Sequence, residues 1–382
     1  MKPENLPSIS TNNVLRPTFV QINLEQLKQN YLNIKQHVGN CKIMPILKAN
    51  AYGHGLIRVA KLMQEINADY LGVAVLEEGI LLRENGIDLP ILVLGGILGN
   101  QIPLFIENKL TITASSLEKI KQISEIAKSM NKTAKVHLKI DTGMERLGVH
   151  YYNAENFITK AFTFPNIEIE GLFSHFADSS SKNSEYTNLQ IERFSQIVNF
   201  SNKMGYNFPL IHISNSGGIL QYPNANFSMV RPGIMLYGVY PSNEVVKSVK
   251  VLPTLEWKSH VVYFKVIKAN HPVGYGGKWV GKNDIRAVTI PVGYGDGYFR
   301  SMSGKVKVLI RNKKYDVIGT ISMDQIIVNI NWDSSFNNDE VVLLGKMGDQ
   351  EITAENLAEW ANTIPYEILT NINSRVPRIY KS

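Results

Sequence analysis

Ile43-Met44-Pro45-Ile46-Leu47-Lys48-Ala49-Asn50-Ala51-Tyr52-Gly53-His54-Gly55 is a short apolar run that ends in lysine and opens into a loop of glycine, histidine and tyrosine. Strand ends beside Gly-rich loops commonly face ligands, whereas lysine is ordinarily a solvated point charge. Burying the Lys48 amine there would lower its pKa and make it a nucleophile toward a carbonyl. That is what holding an aldehyde cofactor as a Schiff base requires. Taken alone, the same placement describes a surface lysine before a turn.

Working outward, short apolar runs alternate with amphipathic stretches. The strand-like runs are Ile43–Leu47, Tyr70–Val75, Ile91–Leu94, Leu110–Thr113, Lys135–Ile140, Glu168–Ser174, Leu210–Ile213 and Gly233–Tyr237. Helix-like stretches such as Leu117–Ser129 and Glu185–Met204 lie between most of them. About eight βα units predict a (β/α)8 TIM-type barrel. An open doubly wound sheet is the alternative, but no G-x-G-x-x-G follows the first strand. Lys48, Asp141, His175, Ser214 and Tyr237 fall at or just past predicted strand ends, and in a barrel these share one face.

After Gly238 the pattern changes. Val239–Thr254 reads as a connector, followed by β-rich runs at Ser259–Ile267, Arg286–Pro291, Val306–Ile310, Tyr315–Ile321, Ile326–Ile330 and Glu340–Leu344. Gly- and Asn-containing turns between them predict a mainly antiparallel β domain. Thr353 is placed to N-cap a short helix. The expected division is a polar tail over residues 1–16, a barrel over 17–250 and a β-rich domain over 251–382.

The 382 residues are 44% hydrophobic, too many residues for most single domains. One cysteine, Cys41, excludes an intrachain disulfide and suits a reducing compartment. Met1–Arg16 is polar and does not read as a secretory signal, and no apolar stretch approaches the roughly 20 residues of a membrane helix. The net charge of +7 is scattered rather than clustered, against nucleic-acid binding. These features imply a cytoplasmic protein with neither a membrane nor a nucleic-acid partner.

The string Lys48–Gly55 resembles the cofactor-lysine signature of alanine racemases. The resemblance continues, in the family's order, through His175-Phe176-Ala177, Asn215-Ser216, Arg231-Pro232-Gly233-Ile234, Gly274-Tyr275-Gly276, Gly293-Tyr294-Gly295-Asp296-Gly297, Met323-Asp324 and Arg375-Val376-Pro377-Arg378. It covers nearly the whole chain beyond the first dozen residues. It implies pyridoxal 5'-phosphate as cofactor, no metal, and Lys48 as Schiff-base lysine and one of two acid/base groups.

The resemblance also implies roles for the other blocks. Tyr52, Ser216 and the backbone of Gly233 and Ile234 would bind the cofactor phosphate, and His175 would pack against its ring and orient Arg231. Arg231 would face the pyridine nitrogen. An arginine can only donate there, so the nitrogen stays unprotonated, which suits simple loss and return of the α-proton. Tyr275 would be the second acid/base group, supplied by the partner subunit of a head-to-tail homodimer. A tyrosine serving as base near neutrality needs a neighbouring cation, and Arg231 and Arg146 are candidates. Arg146 would reach the substrate carboxylate, Lys139 would be carbamylated and position Arg146, Met323 and Asp324 would line the substrate pocket, and Tyr294 would line the entrance.

One position departs from the family. Many relatives carry a tyrosine immediately before Arg-Val-Pro, where this chain has Ser374. The departure implies weaker cofactor binding or a wider entrance. The reading is therefore interconversion of L- and D-alanine, supplying D-alanine for peptidoglycan. The alternatives are a broad-specificity amino-acid racemase and a non-catalytic pyridoxal phosphate carrier. A related barrel decarboxylase fits less well, because it pairs the ring nitrogen with a carboxylate where this chain has Arg231.

Overall fold

A computed structural model describes residues 15–381. Most of the expected polar tail, residues 1–14, lies outside the described residues. Two compact units result: Leu27–Leu252, and the described residues before Leu27 together with those from Pro253 onward.

Strand β1 (Phe19–Asn23) leads the chain. The first unit then follows with β2 (Lys42–Ile43), β3 (Leu71–Val73), β4 (Ile91–Val93), β5 (Thr111–Ala114), β6 (Ala134–Asp141), β7 (Val149–His150), β8 (Ile167–Phe173), β9 (Leu210–His212) and β10 (Met229–Val230). Strands β3-β4-β5-β6-β8-β9 pair in parallel, β10 pairs in parallel with β2, and β7 pairs with β6 off the main path. Backbone bonds complete the ring. Leu47 N–H donates to Gly72 O (2.8 Å) between β2 and β3, and Arg231 N–H donates to Ser214 O (2.9 Å) between β9 and β10. Helices such as Leu117–Ser129 and Glu185–Lys203 join the strands, capped by Ser116 and Ser184. This is the expected (β/α)8 barrel.

The eighth barrel strand is not Gly233–Tyr237. It is Met229–Val230, and Ile234–Tyr237 forms a buried 3₁₀ turn. Pro232 cannot donate to a ladder, and the N–H groups of Gly233 and Met235 turn away to Ser216 Oγ (3.0 and 3.3 Å). An apolar 3₁₀ turn and an apolar strand look alike in sequence.

The second unit contains β11 (Leu255–His260), β12 (Tyr263–Ile267), β13 (Pro272–Val273), β14 (Trp279–Val280), β15 (Ile285–Ile290), β16 (Lys307–Ile310), β17 (Lys313–Ile318), β18 (Ile326–Asn331), β19 (Glu340–Met347), β20 (Gln350–Ile352) and β21 (Arg378–Lys381). The main sheet runs β12-β15-β18-β17-β16-β19-β11-β1-β21. The expected single run Ser259–Ile267 is split between β11 and β12. Strand β1, expected within the barrel segment, instead pairs antiparallel with β11 and in parallel with β21. Its alternation of buried Val20 and Ile22 with less buried neighbours suits a half-buried sheet. Arg16, expected in the tail, donates to Asp296 of this unit (2.7 Å). Thr353 caps the helix Ala354–Ala361 as expected, its Oγ1 accepting from Asn356 N–H.

Candidate active site

Lys48 opens a left-handed turn. Ala49, Asn50, Ala51 and Tyr52 all have φ between 52° and 56°, a conformation that disfavours residues bearing a Cβ. Four such residues cost on the order of several kcal/mol, so the turn must be held from outside. Glu78 supplies one clamp. Its carboxylate accepts from Ala49 N–H (2.7 Å) and Ala74 N–H (2.8 Å). Asn50 Oδ1 accepts from Leu56 N–H (2.8 Å). Lys48 keeps access to water but is crowded by protein. Desolvation lowers its amine pKa, Arg146 and Arg231 lower it further, and Glu78 opposes them.

The turn delivers Tyr52, whose ring stacks on Tyr237 (centroids 4.9 Å apart). Tyr237 is buried and its hydroxyl donates to Ile46 O (2.9 Å). A Cβ on Gly233 would lie 2.6 Å from the Tyr52 hydroxyl, so glycine is required where the Tyr52 and Ser216 hydroxyls converge. Ser216 Oγ accepts two backbone N–H groups and keeps its own proton to donate. Asn215, just before Ser216, accepts from Gly218 N–H (3.0 Å) and from the Ser179 hydroxyl (2.7 Å).

Arg231 directly follows β10 and is 3% exposed. Its Nη2 donates to Ser174 O (2.9 Å), Ile213 O (2.9 Å) and His175 Nδ1 (3.1 Å), and its Nη1 donates to His212 Nδ1 (2.6 Å). Burial lowers its pKa to about 9, which leaves it charged at neutral pH. Because a guanidinium cannot accept, the network assigns the proton of His212 to Nε2, which donates to His137 Nδ1 (2.9 Å). His137 then carries its proton on Nε2, which has no hydrogen-bond partner among the described residues. Burial first and Arg231 second lower the pKa of His137 to about 3 and that of His212 well below its usual value. Gly171 on β8 leaves room for the His137 ring, since a Cβ there would lie 2.6 Å from Nδ1.

His137, Lys139 and Asp141 alternate on one face of β6. Burial, with Arg231 close by, lowers the Lys139 amine to about 7. Its Nζ sits 4.9 Å from the Phe173 ring centroid and donates to Ile140 O (3.2 Å). Burial opposes charge on Asp141, but backbone N–H groups of Gly143, Met144 and Arg146 lower its pKa on balance.

The structure therefore brings Lys48, Arg146, Lys139, His175 and Arg231 within electrostatic reach, and Tyr52, Ser216 and Gly233 into one cradle. Glu78, His137 and His212 belong to the same machinery and were not singled out from sequence.

In the second unit, Tyr275 sits on the tight turn between β13 and β14 and is 72% exposed. Gly274, Gly276 and Gly277 all adopt positive φ there. Tyr294, Met323 and Asp324 form a separate cluster. Tyr294 N–H donates to Ser322 O (3.0 Å) and Gly295 N–H to Met323 O (2.9 Å).

The donor set fits pyridoxal phosphate. Hydroxyls crowd a glycine that admits no Cβ, which suits a phosphate, and a donor-only guanidinium lies within electrostatic reach of a lysine with a depressed amine pKa. A barrel with such a cradle defines a class of pyridoxal phosphate enzymes. Within that class, the alanine racemase N-terminal domain matches residues 22–241 and the alanine racemase C-terminal domain matches residues 254–380. The chain is 40% identical to the alanine racemase of Halothermothrix orenii, over 97% of this chain and 98% of that one. The alanine racemase structure from Clostridium difficile 630 matches with a TM-score of 0.93 and 39% identity, covering 97% of both chains. The histidine racemase of Leuconostoc mesenteroides matches at a TM-score of 0.87 and 29% identity, covering 97% of this chain and 99% of that one. The chain belongs to the alanine racemase family, whose members are pyridoxal phosphate-dependent isomerases.

Proposed function

We propose that this protein interconverts L- and D-alanine with two bases, Lys48 on one face of the substrate α-carbon and the partner subunit's Tyr275 on the other. The observation that carries this reading is the charged, donor-only Arg231, held by His175 and His212 and within electrostatic reach of Lys48, whose amine pKa is lowered. When bound, pyridoxal phosphate supplies the electron sink that acidifies the α C–H bond. Lys48 would hold it through the amine. Tyr52, Ser216 and the Gly233–Ile234 backbone would hold its phosphate, and Arg231 would serve the ring nitrogen as a donor, with His175 accepting from the guanidinium (3.1 Å) and orienting it.

A lowered pKa makes the Lys48 amine easier to deprotonate, as a base on one face of the substrate requires. Arg146 binds the substrate carboxylate, and the second unit, which also bears Tyr275, contributes Met323 and Asp324 as pocket residues and Tyr294 as an entrance residue. Lys139 positions Arg146. Its amine, lowered to about 7, has the uncharged population that reaction with carbon dioxide requires. The exposed position of Tyr275 on a glycine-bounded turn supports its donation to a second subunit's site in a homodimer. The product serves as D-alanine for cell-wall peptidoglycan. The setting is cytoplasmic, in keeping with the single cysteine; among the described residues no helix is long and apolar enough to cross a membrane.

Ser374 favours a second reading, a racemase with a wider pocket, and the likeness to a histidine racemase keeps it open. The carrier reading is weakened because the chain matches both domains, including the one bearing Tyr275. Chiral chromatography of purified, cofactor-loaded protein given L-alanine, D-alanine, L-serine, L-lysine or L-histidine separates the three. Convergence of both alanine enantiomers on a racemic mixture, with little change in the others, supports alanine racemisation. Comparable turnover of the others supports the wider pocket, and none at all supports the carrier.

A further inference from the structure

Asp296 lies inside the second unit with its side chain fully buried, and it carries two arginines. Its Oδ1 accepts from Arg16 Nη2 (2.7 Å) and Arg375 Nε (2.5 Å), and its Oδ2 accepts from Gly293 N–H (3.0 Å). Its backbone carbonyl accepts from Asn373 N–H (2.9 Å). Arg375 then reaches past it, and Nη2 binds Asp324 Oδ1 (2.5 Å). Two guanidinium and two carboxylate groups thus form one neutral network. It joins residues 293–297, 322–325 and 373–375.

The glycines show how closely these segments pack. A Cβ on Gly293 would lie 2.2 Å from Ser322 O, and one on Gly295 would lie 3.0 Å from Met323 O and 3.1 Å from Arg375 Nη1. One on Gly297, at φ +97°, would lie 2.1 Å from Asn371 O. Backbone bonds from Tyr294 N–H to Ser322 O (3.0 Å) and from Gly295 N–H to Met323 O (2.9 Å) orient the two peptides that flank Met323, and the charged network ties the same two segments together. Asp324 Oδ1 is committed to Arg375.

We propose that Asp296, Arg375 and Asp324 form a charged strut that holds the Met323 backbone in its substrate-receiving orientation, with Asp324 acting through Arg375 and not by touching substrate. This rests on the racemase reading for the identity of the substrate. All three are positioning residues. A truncation leaves a charge without its partner and frees the 322–325 turn from the 293–297 loop.

The test is a double-mutant cycle with Asp324→Asn and Arg375→Lys in the cofactor-loaded enzyme; both residues are partly exposed, which spares the folded state. Each single change is expected to raise KM for alanine about tenfold while kcat stays within about threefold. The double variant is expected to match the worse single one, because both changes cut the same connection. Amide hydrogen exchange gives a readout without turnover. The Tyr294 and Gly295 amides should exchange about tenfold faster in each variant. Additive effects on KM, a loss confined to kcat, or unchanged exchange at these two amides would overturn the strut. Absence of alanine turnover in the unmodified protein would defeat the functional reading instead, and amide exchange would still decide the strut.

Discussion

His137 and His212 share one proton across 2.9 Å inside the barrel, and the direction of that bond is set by Arg231. A donor-only guanidinium requires an acceptor from His212, which then donates to His137. Both imidazoles are thereby committed to the neutral form. Protonating either would place a second cation beside Arg231 without a partner.

Acid sensitivity follows. The folded pKa of His137, about 3, lies below its unfolded value of about 6.5. Near pH 8, well above the unfolded value, both states are neutral and the stability is fully present. As the pH falls toward 3 the unfolded chain binds a proton that the folded chain does not, so stability is lost. Between pH 8 and pH 5 this amounts to roughly 2 kcal/mol for one histidine. Chemical denaturation at the two pH values should show the loss, and His137→Gln should flatten the slope. An equal slope in the variant would contradict the assignment.

Glu78 clamps the left-handed turn that carries Lys48 and Tyr52. Glu78→Ala frees Ala49 N–H and Ala74 N–H and should weaken pyridoxal phosphate binding roughly ten- to a hundredfold, the equivalent of one or two charged hydrogen bonds. Because Glu78 raises the Lys48 pKa against Arg146 and Arg231, its loss should lower that pKa further. Equilibrium dialysis measures the first effect, and the pH dependence of the rate at which cofactor-free protein captures pyridoxal phosphate measures the second; unchanged cofactor affinity in the variant would contradict the clamp.

A composite dimer makes a distinctive prediction. Lys48→Ala and Tyr275→Phe should each be inactive as homodimers. After unfolding and refolding together in equal amounts, half the dimers are mixed and carry one intact site, so about a quarter of normal activity should return. A fully active monomer in sedimentation would rule out the shared site.

Lys139, lowered to about 7, should carry a labile carbon dioxide adduct that intact-mass measurement loses on acidification. Bicarbonate should raise the activity of carbon dioxide-depleted protein above pH 7, where the amine is uncharged. Lys139→Ala should abolish that response. An unmodified mass with no bicarbonate effect would remove the role.

The barrel was legible because its strands are apolar and separated by amphipathic helices with visible caps. Strand β10 was not, since two residues carry no periodicity and the apolar turn after it imitates a strand. Lys48, Tyr52, Ser216 and Arg231 stood out through their motifs. His137 could have been found from the period of two that it shares with Lys135, Lys139 and Asp141 on a strand whose other positions are apolar. Glu78 had no such signal: within Leu76–Glu84 it reads as one more solvated helix charge. The bond between Asp296 and Arg375 joins residues 79 apart in sequence, beyond any local pattern.

The most direct test of the two-base account is deuterium incorporation at the α-carbon of L- and D-alanine in heavy water, comparing the unmodified dimer with Tyr275→Phe. The account predicts incorporation from both enantiomers in the unmodified protein. In the variant, racemisation should be lost while exchange survives for one enantiomer, the one whose α-proton faces Lys48. Exchange retained for both enantiomers, or abolished for both, would contradict it.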